Sequence, residues 1–199
     1  MIAVIDYGAG NLRSVEKALE KCGAQVVVTS NAEDVLNADK IVFPGVGAFG
    51  KASELLQMLG FFEVIKKVID QSKPFLGICL GMQLLFDSSE ENPQATGIGI
   101  FKGSVRRFPH SLKVPHLGWN ELTFVRSCPL WREVPDQSSF YFAHSYFVDP
   151  EERDIIVAET DYFGSVPAAV CRGNIFGIQA HPEKSQRLGL QILRNFVQL

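Results

Sequence analysis

Closely spaced cysteine pairs are missing from this sequence: its four cysteines, Cys22, Cys79, Cys128 and Cys171, stand alone. The four histidines, His110, His116, His144 and His181, fall in no metal-ligand spacing with one another or with the cysteines. A structural or catalytic zinc site is therefore not expected, nor any other bound metal. A basic start with a cleavage-like site is absent too, because MIAVIDYGAG reaches an acid at Asp6. No signal peptide is expected, and scattered thiols then point to a reducing cytosol rather than a disulfide framework. The longest near-apolar run is that opening stretch, far short of a membrane span. Neither sign of charge dominates, the net being −3, so nothing electrostatic calls for nucleic acid or an anionic membrane as partner. Low-complexity tracts and internal repeats are absent.

What is present is 199 residues with 46% hydrophobic content, enough for one compact domain over 1–199 and tight for two. The first half alternates. Ile2–Asp6 is a short, β-branched apolar run that reads as a buried strand, and Gln25–Thr29, Lys40–Phe43 and Pro74–Ile78 read as three more. Leu12–Cys22 carries a helical stripe stopped by Gly23, and Phe49–Gln71 has helical periodicity throughout. Strands separated by helices imply crossovers and a parallel sheet covered on both faces, so the class is α/β. After about residue 97 the segments Gly97–Val105, Lys113–Val125, Ser139–Val148, Ile155–Glu159, Ala168–Cys171 and Ile175–Gln179 are strand-like, the last two joined by an Arg172-Gly173-Asn174 turn. This half is expected to extend the same sheet in mixed or antiparallel fashion. Glu183–Leu199 returns to helical spacing.

Three segments carry chemistry. Gly77-Ile78-Cys79-Leu80-Gly81 lies between the strand ending at Ile78 and an expected helix over Leu80–Asp87, the setting of a nucleophile elbow with cysteine as nucleophile. A helix N-terminus there would favour thiolate over thiol. The competing reading is a buried structural cysteine. Gln179-Ala180-His181-Pro182-Glu183 follows a strand directly, and residues two apart in extended chain share a side. His181 oriented by Glu183 would be the base half of a triad; the alternative is a strand-end histidine with Glu183 opening the next helix. Phe43-Pro44-Gly45-Val46-Gly47-Ala48-Phe49 also follows a parallel strand, and its glycines free backbone N–H groups to meet an oxyanion. Alone it is only a glycine-rich loop. Asp6–Arg13 offers G-x-G, but Arg13 stands where a third glycine belongs and no acid ends the second strand. Nicotinamide and flavin are not expected, no P-loop occurs, and no cofactor is implied.

GICLGMQ around Cys79, PGVGAF at Pro44–Phe49 and HPEKS at His181–Ser185 together resemble the class I, triad-type glutamine amidotransferases. Within them, DYGAGNL at Asp6–Leu12 and PHLGWN at Pro115–Asn120 are similar to the glutaminase subunits of bacterial imidazole glycerol phosphate synthase, which serve histidine biosynthesis. The resemblance implies Cys79 as nucleophile, His181 as acid and base, and Glu183 as its orienting partner. It implies an oxyanion hole from the backbone of Gly45, Gly47 and Leu80, and glutamine held by Gln83, His144, Ser145 and Tyr146. For His144 a core histidine on the aromatic strand FYFAHSYF is the competing reading. Asn11, Trp119, Tyr141 and Lys184 match the face that meets a (β/α)8-barrel synthase subunit in that family; Trp119 could equally be a core aromatic.

Ammonia released into water near neutral pH becomes ammonium and loses its nucleophilic lone pair. A chain with no evident site for an acceptor therefore needs a heterodimeric partner that takes ammonia along a dry path. The rivals are a glutaminase for another pathway, such as anthranilate, pyridoxal phosphate or guanylate synthesis, a stand-alone cysteine hydrolase or peptidase, and a catalytically silent binding module.

Overall fold

The computed structural model describes residues 1–8, 10–109, 111 and 113–199; Ala9 of the DYGAGNL segment and His110 of the four histidines lie outside them. The first half alternates as expected: β1 (Ile2–Ile5), α1 (Leu12–Lys21), β2 (Val26–Thr29), α2 (Ala32–Asn37), β3 (Lys40–Gly45), α3 (Phe49–Met58), α4 (Phe61–Asp70) and β4 (Phe75–Cys79). The remainder is α5 (Leu80–Gln83), β5 (Ser88–Ser89), β6 (Gly103–Arg107), β7 (His116–Phe124), β8 (Ser138–His144), β9 (Tyr146–Pro150), β10 (Ile156–Asp161), β11 (Ser165–Arg172), β12 (Ile175–Ile178) and α6 (Gln186–Val197).

Nine strands form one sheet in the order β2-β1-β3-β4-β12-β11-β10-β7-β8. From β2 to β12 all pairings are parallel, and from β12 to β8 all are antiparallel. Strands covered on both faces place alternate residues in two cores. Val4, Val42, Leu76, Ile78 and Phe176 pack against Val15 and Leu19 of α1 and Ile192 and Phe196 of α6. On the other face Ile5, Ile41, Phe43 and Phe75 pack against Val35, Leu56, Ile65 and Val68 of α2, α3 and α4.

Several expected elements differ. The single helix over Phe49–Gln71 is two, because Gly60 adopts a left-handed φ of 74° and starts α4 in a new direction. α2 was not anticipated, although Asn31 caps it by accepting from the Glu33 N–H at 2.8 Å. The helix expected over Leu80–Asp87 is one turn long. The carbonyls that would continue its ladder are taken by another segment: Leu84 O accepts from Ile98 N at 2.8 Å and Leu85 O from Ile100 N at 2.8 Å. That same use of the 97–101 segment removes it from the expected strand Gly97–Val105, which begins only at Gly103. Ser139–Val148 breaks at Ser145, and β9 leaves the main sheet to form a second one in the order β5-β6-β9. The second half therefore extends the first sheet only in part. Lastly, Glu183 lies in a 3₁₀ turn, Pro182–Lys184, ahead of α6 rather than in its first turn.

Candidate active site

Cys79 is the last residue of β4 and the cap of α5, with φ 55° and ψ −112°, a conformation that L residues rarely adopt. The flanking glycines make the turn possible by close approach. A Cβ on Gly81 would sit 1.8 Å from the Phe43 carbonyl oxygen, and one on Gly77 would sit 2.9 Å from the Gly81 backbone. The elbow is therefore wedged against β3, whose Gly45 is in register with Cys79. Gly45 is bare for a related reason: a Cβ there would meet the Tyr7 hydroxyl at 2.6 Å.

Across the β4–β12 pairing, Ile178 is in register with Ile78. The chain leaving β12 thus runs alongside Cys79 and delivers Gln179, His181 and Glu183 to the same sheet end. His181 Nδ1 lies 2.9 Å from Glu183 Oε1, and both side chains are almost wholly buried. Backbone contacts hold this segment: His181 N donates to Tyr141 O at 2.9 Å, and Ser185 Oγ donates to His181 O at 2.7 Å. Burial by itself would lower the imidazole pKa, but hydrogen bonding and charge from Cys79 and Glu183 outweigh it and raise it to about 9. A protonated imidazole beside the cysteine is the result near neutral pH. Glu183 Oε2 has no hydrogen-bond partner among the described residues.

The elbow opens into a cavity of about 230 Å³ lined by Gly47, Cys79, Leu80, Gln83, His144, Ser145 and Tyr146, with Val46, Glu91, Pro115 and Ala143. Six residues expected around the nucleophile are thus brought together. Gly45 does not line it, being buried at the end of β3 beneath the loop. Gly47 has φ 104° and no atom within 4 Å of a built Cβ, so its glycine serves backbone conformation rather than packing. Glu91 was not anticipated. It accepts from Phe49 N at 2.7 Å and so ties its loop to the start of α3. Nor was Tyr7, whose hydroxyl is buried without a partner among the described residues. Its pKa is raised, first by burial and then by the charge of Cys79.

His144 is buried as a core histidine would be, yet it lines the cavity. Its Nδ1 donates to Tyr146 O at 2.8 Å, because a carbonyl can only accept. Its Nε2 must then accept, at 2.9 Å, from His116 Nδ1, and His116 Nε2 accepts from Asn120 Nδ2 at 3.2 Å. Both rings are fixed as neutral tautomers, and burial lowers the pKa of His116 to about 4 and of His144 to about 3. Unfolded, both would titrate near 6.5. Between these values the unfolded chain binds more protons, so this stabilisation is complete above pH 6.5 and lost as pH falls toward 4. His181 acts oppositely: its contribution is present below pH 6.5 and lost as pH rises through 9. We expect the melting temperature to decline from pH 7 to pH 5, with a shallower decline in His116→Phe. Parallel declines in the two proteins would remove the histidine pair as the cause.

Three of the four expected partner-face residues meet. The Trp119 ring is half exposed and lies 6.1 Å from that of Tyr141, and Lys184 Nζ sits 5.7 Å from the Tyr141 centroid. Tyr141 in turn is 6.5 Å from the His181 ring, so this exposed cluster borders the His181 segment. Trp119 is not a core aromatic. No hydrogen bond or ring contact among the described residues joins Asn11 to that cluster; its Oδ1 accepts from Ser14 Oγ at 2.8 Å at the start of α1. The other cysteines are apart from the cavity, Cys22 donating to Leu190 O at 3.3 Å and Cys128 buried in the core. Among the described residues no cluster of metal-ligating side chains occurs, and no helix is long and apolar enough to cross a membrane.

A cysteine elbow facing a histidine–carboxylate pair at the end of the parallel half of an α/β sheet is the arrangement of a cysteine hydrolase, and comparison with known proteins gives the kind. The sequence model of the family Glutamine amidotransferase class-I matches residues 3–199, and the chain belongs to that family. Among named relatives it is 51% identical to imidazole glycerol phosphate synthase subunit HisH of Bacillus cereus (strain B4264), covering 98% of this chain and 93% of that protein. It is 50% identical to imidazole glycerol phosphate synthase subunit HisH of Methanocaldococcus jannaschii, over the whole of both chains. A crystal structure described as a glutamine amidotransferase superposes with a TM-score of 0.79 over the full length of both chains; at 16% identity it speaks for the fold alone.

Proposed function

We propose that this chain is the glutaminase subunit of an imidazole glycerol phosphate synthase, acting in the cytosol in histidine biosynthesis. It would hydrolyse glutamine to glutamate and pass the ammonia to a (β/α)8-barrel synthase subunit. One observation carries the chemistry: His181 is 2.9 Å from Glu183, both are buried, and the imidazole is within hydrogen-bond reach of Cys79, which lines the cavity. Half-identity to two HisH subunits over nearly the whole chain supports the choice of pathway.

In this reading the Cys79 thiolate attacks the side-chain carbonyl carbon of glutamine. Backbone N–H groups of Leu80 and the Gly45–Gly47 loop take the charge on the tetrahedral oxygen. His181, protonated at rest, gives its proton to the departing amine, so ammonia leaves and a glutamyl thioester remains. His181, now neutral, takes a proton from water as its oxygen attacks the thioester. Collapse then releases glutamate, and Cys79 returns as the thiolate beside imidazolium. Glu183 holds the imidazole by Nδ1 throughout.

His144, Ser145 and Tyr146, with Gln83, hold the amino-acid end of the substrate. Both N–H donors of Gln83 are already committed, at 3.1 Å to Tyr146 O and 2.9 Å to Gln179 Oε1. Its oxygen is thereby left to accept from the substrate's ammonium. Trp119, Tyr141 and Lys184 form the docking face beside His181, and Asn11, at the start of α1, is assigned to it by the family resemblance alone.

The test is glutamine turnover by the purified chain, alone and with a barrel synthase carrying its ligand. We expect stimulation of at least about tenfold, the equivalent of about 1.4 kcal/mol in barrier. Full activity in the isolated chain would favour a solitary hydrolase instead.

A further inference from the structure

We propose that Gln179 is a further catalytic residue of this site, its carboxamide N–H donating to the Cys79 sulfur and favouring the thiolate. The inference rests on Cys79 being the nucleophile as proposed above. Gln179 is fully buried and its Nε2 lies 3.5 Å from Cys79 Sγ. Its place is set by the sheet: one residue past Ile178, which is in register with Ile78, it is the lateral neighbour of Cys79. Its backbone N–H is tied to Ala168 O at 2.8 Å, so the side chain leaves a fixed point.

The orientation of the carboxamide is also fixed. Its Oε1 accepts from Gln83 Nε2 at 2.9 Å, which turns the NH₂ end toward the sulfur. Gln83 is held by its other N–H on Tyr146 O at 3.1 Å, and that carbonyl also accepts from His144 Nδ1 at 2.8 Å. Beyond it come His116 and Asn120, each donating toward His144. Each hydrogen bond in the series has a single assignable direction, so no amide or ring in it can invert without breaking a neighbour's bond. A buried amide so thoroughly oriented, and ending on a nucleophile, does more than fill space.

Chemistry gives that donor a purpose. A thiolate in a buried elbow needs hydrogen bonds in place of water. α5 is a single turn and contributes little dipole. His181 must release its proton to the leaving amine, so its own charge is withdrawn during the first half-reaction. Gln179 keeps its donor throughout and is still there when the thioester collapses and sulfur leaves as thiolate. No bond to Gln179 forms or breaks.

The experiment uses Gln179→Met, which keeps length and removes the amide. The rate of Cys79 alkylation by iodoacetamide at pH 7 is measured in each protein, with Cys79→Ala reporting the background of the other three thiols. Alkylation should slow about tenfold or more, and in the complex with the synthase kcat for glutamine should fall more than KM rises. An unchanged alkylation rate in folded Gln179→Met overturns the proposal. Should that variant not fold, Gln179→Asn, whose shorter amide cannot reach the sulfur, is read in the same way. Slower alkylation in a protein whose wild-type complex hydrolyses no glutamine would sink the functional reading and leave the role of Gln179 standing.

Discussion

Cys79→Ala is expected to lose glutamine hydrolysis by at least about 10⁴-fold while melting within about 4 °C of the parent. Without sulfur no acyl bond can form, and His181 has no nucleophile to serve; residual turnover would come only from water positioned by the oxyanion donors. The fold should survive because alanine sits no worse than cysteine in the φ 55° conformation of the elbow. The groups deprived of the sulfur, His181 and Gln179, keep their bonds to Glu183 and Gln83, and the place of the sulfur itself opens on a cavity that water can enter. Loss of the cysteine should also lower the His181 pKa from about 9, since Cys79 is among the groups that hold it up. Ammonium salts supplied to the complex at high pH should still feed the synthase reaction, because only the source of ammonia has been removed. Parent-like hydrolysis of glutamine by Cys79→Ala would end the assignment of the nucleophile.

The elbow, the HPE segment and the PGVG loop were legible because each is a local pattern lying at a strand end. A parallel sheet then brings strand ends together without further instruction. The pair His181 and Glu183 was legible from its closeness in sequence, and it closes to 2.9 Å, though through the 3₁₀ turn Pro182–Lys184 and not through extended chain. What was not legible is what depends on register between distant segments. Gln179 meets Gln83 from 96 positions away and Cys79 from 100, and His116 meets His144 from 28. One signal for Gln179 was in plain view: it stands two residues before His181, on the same side of the extended chain. The break at Ser145 had no such signal, since FYFAHSYF carries strand-forming aromatics on both sides of it and only the second sheet decides where β9 goes. α2 is a different case. Asn31 followed by Glu33 and Asp34 is a local start signal, but six residues show too little periodicity to read as a helix. The overlong helix after Cys79 failed for a tertiary reason, its carbonyls being claimed by residues 98–101.

Gly81→Ala is expected to cost more than about 4 kcal/mol, lowering the melting temperature on the order of 10 °C or preventing folding outright. The added methyl would lie 1.8 Å from the oxygen of Phe43 and 2.9 Å from its carbonyl carbon. No side chain can swing aside to relieve this, because the obstacle is backbone. That backbone is held on both sides, β3 pairing with β1 at Val42 and with β4 at Phe43. Moving β3 outward would open the middle of the parallel sheet, and moving α5 would rotate Cys79 away from His181. Either shift also drags Val46 and Gly47, which follow β3 directly, so any folded fraction should have lost hydrolysis along with stability. Gly23→Ala separates this mechanism from loss of glycine freedom. Gly23 has φ 89° with nothing within 4 Å of a built Cβ, so alanine there should cost only the backbone strain, about 1–3 kcal/mol, and keep full activity. Equal melting temperatures for Gly81→Ala and the parent would mean that the elbow is not wedged against β3. The close approach of Gly81 to Phe43 would then cease to explain why Cys79 is presented at that point.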